Sequence, residues 1–185
     1  FFIYFCYIYI NISTLEFWLK FKPIDWKPNP KTYNYILAFE EENLIQTPSV
    51  RIHFPKESFY QKTYFNYSFS VDHSEGIYSS VHHIHNFKTP VHKYFDLSIW
   101  PNRLPKELSP KAIIVYCSPE GELINCGGKW EGDMLKTKAR WLGDYFVTID
   151  TTAPTVTPVV FKADMRGMKK MSFQISDNFQ AAGNV

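Results

Sequence analysis

Cysteine is scarce: Cys6, Cys117 and Cys126 are the only three in 185 residues. Three thiols cannot build the paired framework that holds small secreted domains together, so the fold must rest on a core. Glycine is scarce as well, at eight residues. Gly127-Gly128 is the one Gly pair, and no glycine-rich run opens a helix, which removes a phosphate-cradling loop. Charge of one sign is missing, since 20 basic and 18 acidic side chains, interspersed, leave +2. No electrostatic footprint for nucleic acid or an anionic membrane follows. There is no Gly-x-Ser-x-Gly elbow for a serine nucleophile. The leading apolar run, FFIYFCYIYI, has ten residues, whereas a span needs about 20. It also lacks the basic flank and small-residue cleavage site of a signal peptide.

What the sequence has in abundance is aromatic residues, 16 Phe, 12 Tyr and 5 Trp, which suit pleated, half-buried strands. Period-two runs recur between turn residues. Val50, Ile52 and Phe54 alternate with Arg51 and His53; Phe65, Tyr67 and Phe69 with Asn66 and Ser68; Phe95, Leu97 and Ile99 with Asp96 and Ser98. Further runs are Ile113 to Cys117, Glu122 to Cys126, Tyr145 to Ile149, and Met171 to Ile175. Regular short strands predict an all-β fold, an immunoglobulin-like β-sandwich. Tyr33 to Leu44 contains Glu40-Glu41-Glu42 and admits a helix, but Tyr35, Leu37 and Phe39 alternate, which favours a strand. Pro154 and Pro158 follow Asp150 and mark a strand end and linker. The expected organisation is a poorly specified leader over 1–33, a β-sandwich over 34–150, and the first strands of a second, truncated sandwich over 151–185. Phe1 in place of Met, and an end without a closing element, read as a piece of a longer chain. Because two strands are marginal alone and the prolines interrupt pairing, the tail is expected to fray or self-associate rather than extend the first sandwich.

Val81-His82-His83-Ile84-His85, with His92 and Asp96 downstream, is the densest group of metal-capable side chains. On a strand His83 and His85 share a face, and two neutral imidazoles could reach one Zn²⁺ at ~2.0–2.1 Å. That is half a site, lacking a third ligand. The plainer reading places these imidazoles on the polar face or rim of a sheet, and no catalytic, cofactor-binding or metal residue is assigned. The cysteines sit in apolar strand patterns with no adjacent His, as packed thiols do. If the hairpin turns on Pro119 and Glu120, Cys117 faces Glu122 and Cys126 faces Ile113. About 13 Å of strand then separates the sulfurs, beyond the roughly 7 Å between Cα atoms that a disulfide tolerates, so both are expected free. Glu40 to Glu42, and Glu131 with Asp133, read as solvated turns. Asn11-Ile12-Ser13 and Asn66-Tyr67-Ser68 match the glycosylation sequon, with Asn66 placed mid-strand. Asp150, Asp177 and Asn178 could offer oxygens to Ca²⁺, without the pattern of a binding loop.

Order and spacing of several runs carry a resemblance. VRIHFPKESFY (50–60), YFNY (64–67), PVHKYF (90–95), Leu104-Pro105, Lys111-Ala112-Ile113, GGKW (127–130), GDYFV (143–147), DTTAPTV (150–156) and ISDNF (175–179) are together similar to the region after the catalytic domain in Gram-negative lysostaphin-type, LytM-like zinc metallopeptidases. In that family zinc is held by an upstream His-x-x-x-Asp and a later His-x-His. Here His83-x-His85 precedes His92-x-x-x-Asp96, so no catalytic residue carries over. The resemblance therefore implies a C-terminal accessory β-sandwich that is not itself an enzyme. Zinc is expected in a peptidase domain upstream, which is the partner in cis, with peptidoglycan as a further partner. It implies no nucleic acid, no membrane span in this segment, and a place in the cell envelope, periplasmic or at the cell surface. Trp100, Trp130 and Trp141 would lend wall affinity if exposed, although sandwich Trp residues more often sit in the core. The alternative is an immunoglobulin-like repeat of a bacterial surface adhesin or carbohydrate-active protein, because Asp-Thr-Thr-Ala-Pro-Thr also resembles the opening of such repeats. A zinc hydrolase built on the His cluster is the third reading.

Overall fold

The computed structural model describes residues 3–6, 12–15, 33–160 and 169–181. The chain divides into two units, Phe1–Lys31 and Thr32–Val185. In the first, β1 (Ile3–Cys6) and β2 (Ile12–Leu15) pair antiparallel with Ile3 opposite Leu15. The rest of the leader, Asn11 and the Cys6 side chain lie outside the described residues.

In the second unit the strands are β3 (Tyr35–Leu37), β4 (Asn43–Gln46), β5 (Val50–Phe54), β6 (Thr63–Phe65), β7 (Tyr67–Ser70), β8 (Val81–Ile84), β9 (Phe95–Ile99), β10 (Ala112–Cys117), β11 (Leu123–Asn125), β12 (Lys129–Glu131), β13 (Met134–Ala139), β14 (Gly143–Ile149), β15 (Thr155–Val160), β16 (Ser172–Ser176) and β17 (Gln180–Ala181). A short 3-10 helix, Lys106–Lys111, precedes β10. Six strands form one sheet in the order β17-β11-β10-β14-β8-β7, and five form a second in the order β12-β13-β9-β5-β4. Two-stranded pairs β3-β6 and β15-β16 complete the set. The fold is all-β, as the alternation predicts, and the two large sheets face one core.

That core takes Val50, Ile52, Phe54, Phe95, Leu97, Ile99 and Leu135 from one sheet and Ile84, Ile114, Tyr116, Tyr145 and Val147 from the other. Each such burial stabilises by about 1.5–3 kcal/mol. The aromatic surplus of the sequence concentrates at one end, where Phe54 meets Phe59, Phe65 and Phe95 at centroid distances of 5.0, 5.5 and 4.8 Å. No helix forms over Tyr33 to Leu44. The Asn43 side chain instead accepts from Ala38 N and donates to Ala38 O, each at 2.8 Å, closing the turn between β3 and β4.

Three expectations need correction. Cys117 stands opposite Leu123, not Glu122, and Cys126 N donates to Ile114 O at 2.9 Å. The loop has three residues, Pro119-Glu120-Gly121, because Gly121 adopts φ 85° and Ser118 N then reaches Glu122 O at 2.9 Å. Phe65 to Phe69 is not one strand: β6 pairs with β3 and β7 with β8, and Asn66 lies between them. Finally, Pro158 sits inside β15, opposite Phe173, with a register shift beside it; a two-stranded ribbon tolerates the missing N–H. Beyond the ribbon the chain returns, and β17 adds in parallel to β11, which the proline argument did not anticipate.

Candidate functional site

The histidine group disperses. β8 ends at Ile84, and His85 takes φ 56°, so the alternation that would align it with His83 is lost. Its ring stacks on Phe65 at 4.7 Å and its Nδ1 accepts from Asn66 N at 3.2 Å. His83 instead joins Asp144 Oδ1 through Nδ1 at 2.8 Å and Ser70 Oγ through Nε2 at 2.9 Å. The order carboxylate, imidazole, hydroxyl is that of a catalytic triad. Here it lies open to water, with His83 36% and Asp144 47% exposed, and it ties β7, β8 and β14 together. His92 turns to the Tyr60 hydroxyl at 3.3 Å, and Asp96 faces His53 and Lys136 at 3.8 Å each. His83, His85, His92 and Asp96 are therefore not brought together. Among the described residues no three His, Cys, Asp or Glu side chains converge as a metal needs. Residues outward of the core show the same dispersal: Asp150 Oδ1 accepts from Thr152 N, and Asp177 Oδ1 from Asn178 N.

A different surface is built. On the outer face of the five-stranded sheet, register aligns Gln46, Arg51, Ser98 and Lys136 in one row, and Leu44, His53, Asp96 and Lys138 in the next. Apart from the exposed Leu44, these are polar residues on strands whose alternate residues fill the core. Leu44, Gln46, Arg51, His53, Asp96, Ser98, Glu131 and Lys136 enclose a groove of about 290 Å³. Most of its charges are paired. Lys136 Nζ lies 3.8 Å from Asp96 and 3.5 Å from Glu131, while His53 Nε2 lies 3.2 Å from Glu42. Arg51 differs: its guanidinium sits over the Trp100 ring, 5.9 Å from the centroid, and its Nε is buried without a partner among the described residues. No ion pair holds Arg51 among the described residues. Sequence reasoning missed this groove, because it depends on pairing between strands far apart in the chain.

The model of the Zu5-like domain matches residues 34–150, more than half of the chain. The chain belongs to the Zu5-like domain family. No curated protein matches it. The matched Zu5-like segment runs from just before β3 to just after β14, and so includes both the groove and the Ser70-His83-Asp144 line.

The three tryptophans of the Zu5-like segment are not core residues. Trp100 lies under Arg51. Trp130 packs at the core's margin with Nε1 donating to Ser109 O at 2.9 Å, and Trp141, 37% exposed, stacks on Tyr116 at 5.7 Å. Its two thiols are unbridged. Burial pushes Cys126 up to about 11; burial, with Asp144 beside it, also raises Cys117. Neither is a ready nucleophile.

Proposed function

We propose that residues 34–150 are a non-catalytic accessory sandwich of a cell-envelope peptidoglycan endopeptidase of the lysostaphin type, holding its catalytic domain at the wall. The observation that carries this reading is the division of labour on the surface: metal-capable side chains point to separate neighbours, while one sheet face gathers a groove of paired charges around an unpaired guanidinium. Such a face suits recognition of a polar polymer rather than bond cleavage. The finer immunoglobulin-like assignment draws support from Tyr145, whose buried hydroxyl donates to Trp141 O, four residues upstream, at 2.5 Å. Sandwiches of that type use a comparable tyrosine link. Zinc belongs, in this reading, to the peptidase domain in cis, and the envelope location follows from the substrate.

The test has two parts. The coding sequence upstream of Phe1 should specify a domain with His-x-x-x-Asp and a distant His-x-His; tandem Asp-Thr-Thr-x-Pro repeats in its place would decide for a surface adhesin. The 185-residue chain should co-sediment with isolated sacculi yet release no soluble fragments with zinc supplied. Zinc-dependent release that disappears in His83→Ala would overturn the reading in favour of a hydrolase.

A further inference from the structure

Arg51 is the anomaly of the groove. Its Nε is closed off from solvent, so a ligand reaches this guanidinium through its Nη groups, which no hydrogen bond or ion pair holds among the described residues. Its neighbours explain why the guanidinium stays there. Trp100 supports its face, and Trp100 N is itself fixed by Ser49 O at 3.0 Å. Ser98, 4% exposed, stands opposite Arg51 on β9, with Lys136 opposite Ser98 on β13. A hydroxyl thus lies between two cations spaced by two strand separations, about 10 Å. Lys136 is already engaged by Asp96 and Glu131; Arg51 is not engaged by any carboxylate among the described residues.

We propose that this groove binds a peptide through a free carboxylate seated on Arg51, with an amine of the same ligand facing Asp96 and Glu131. The planar fork of a guanidinium matches a carboxylate in two parallel hydrogen bonds. Asp96 lies two residues from Ser98 on the same face, about 7 Å along β9, so an acidic and a basic group a few bonds apart on one ligand would meet opposite charges. A phosphate fits less well, because a second negative charge would approach Asp96 and Glu131 with one free cation to offset it. That the ligand is a cell-wall stem peptide, which carries free carboxylates and a free amine, rests on the proposed function; that it presents a carboxylate rests on Arg51.

Titration of the 185-residue chain by calorimetry tests both steps. The probes are a soluble peptidoglycan stem tetrapeptide with a diamino acid, the same peptide with all carboxylates amidated, the L-peptide Gly-Gly-Lys-Gly with free ends, and inorganic phosphate. The stem peptide should bind, and amidation should weaken it about tenfold or more, as expected for the loss of a charge-assisted pair. Arg51→Gln should weaken it equally and Arg51→Lys less, each with an unchanged circular dichroism spectrum. Binding of Gly-Gly-Lys-Gly in an Arg51-dependent way, without binding of the stem peptide, would keep the groove and overturn the wall assignment. Equal binding of the amidated peptide, an Arg51→Gln variant that binds normally, binding of phosphate alone, or no binding by any probe would each overturn the carboxylate site. Should Arg51→Gln not fold, the amidated peptide decides without a variant.

Discussion

His82 lies within the sandwich, 0% exposed, with Nδ1 2.9 Å from the Tyr67 hydroxyl and Nε2 without a partner among the described residues. Burial, with His83 beside it, holds its pKa down to about 4, from an ordinary 6.5. Protonation is therefore easier in the unfolded chain. Above pH 6.5 both states are neutral and His82 contributes no pH-dependent difference; as pH falls from 6.5 toward 4 the unfolded chain takes up the proton first, and stability drops by about 3 kcal/mol. Urea unfolding across that window should show this slope in the wild type and a shallower one in His82→Gln, which keeps a partner for Tyr67 but does not titrate. Parallel slopes would place the acid sensitivity elsewhere. Gly143 is a second residue with a single solution: at φ 140° an added Cβ would sit 2.8 Å from the Tyr116 ring. Gly143→Ala should cost about 2 kcal/mol or more, combining backbone strain with overpacking, read as a lower urea midpoint.

At the scale of an element, the hairpin β10-β11 shows how one loop residue sets chemistry. Gly121 lengthens the turn to three residues, which places Cys126 across from Ile114 and on the core side, where it packs at the cluster's margin. Cys117 lies an odd number of residues from Ile114 and so faces the other way, in the row that holds Asp144 and His83. Alkylation of the native protein at pH 8 should leave Cys126 almost untouched, since a thiol near 11 is only about one part in a thousand thiolate there. Denaturation should release it to react. Rapid native labelling of Cys126, found by peptide mass mapping, would show that the hairpin opens or that its register differs.

For the molecule as a whole, the contrast is between sandwich and ribbon. β15 and β16 place Val156 opposite Ile175 and Pro158 opposite Phe173 on one side, and Thr157 opposite Gln174 on the other. Val156, Phe173 and Ile175 are nonetheless exposed, at 57%, 50% and 69%. A two-stranded pair without a covering layer is marginal in water. Hydrogen exchange should therefore find the amides of β15 and β16 exchanging far faster than those of β14, which is flanked by β10 and β8. Equal protection in a dilute monomer would mean that the ribbon shares the cooperative unit of the sandwich.

Alternation in Val50–Phe54 and Phe95–Ile99 by itself determined that these segments are strands and which side chains enter the core, because a period of two exposes one face and buries the other. It also indicated that Arg51, His53, Asp96 and Ser98 lie outward. Local order could not say that β5 lies beside β9 and β9 beside β13, since strand pairing is chosen by the best joint burial of all apolar faces. That choice alone put Arg51, Ser98 and Lys136 in one row and made a groove. The histidines failed in the opposite direction: their spacing was readable, but the positive φ at His85 and the pairing of His83 with Asp144 on β14 arise from contacts across the sheet, and these turned a local His-x-His into two unrelated sites.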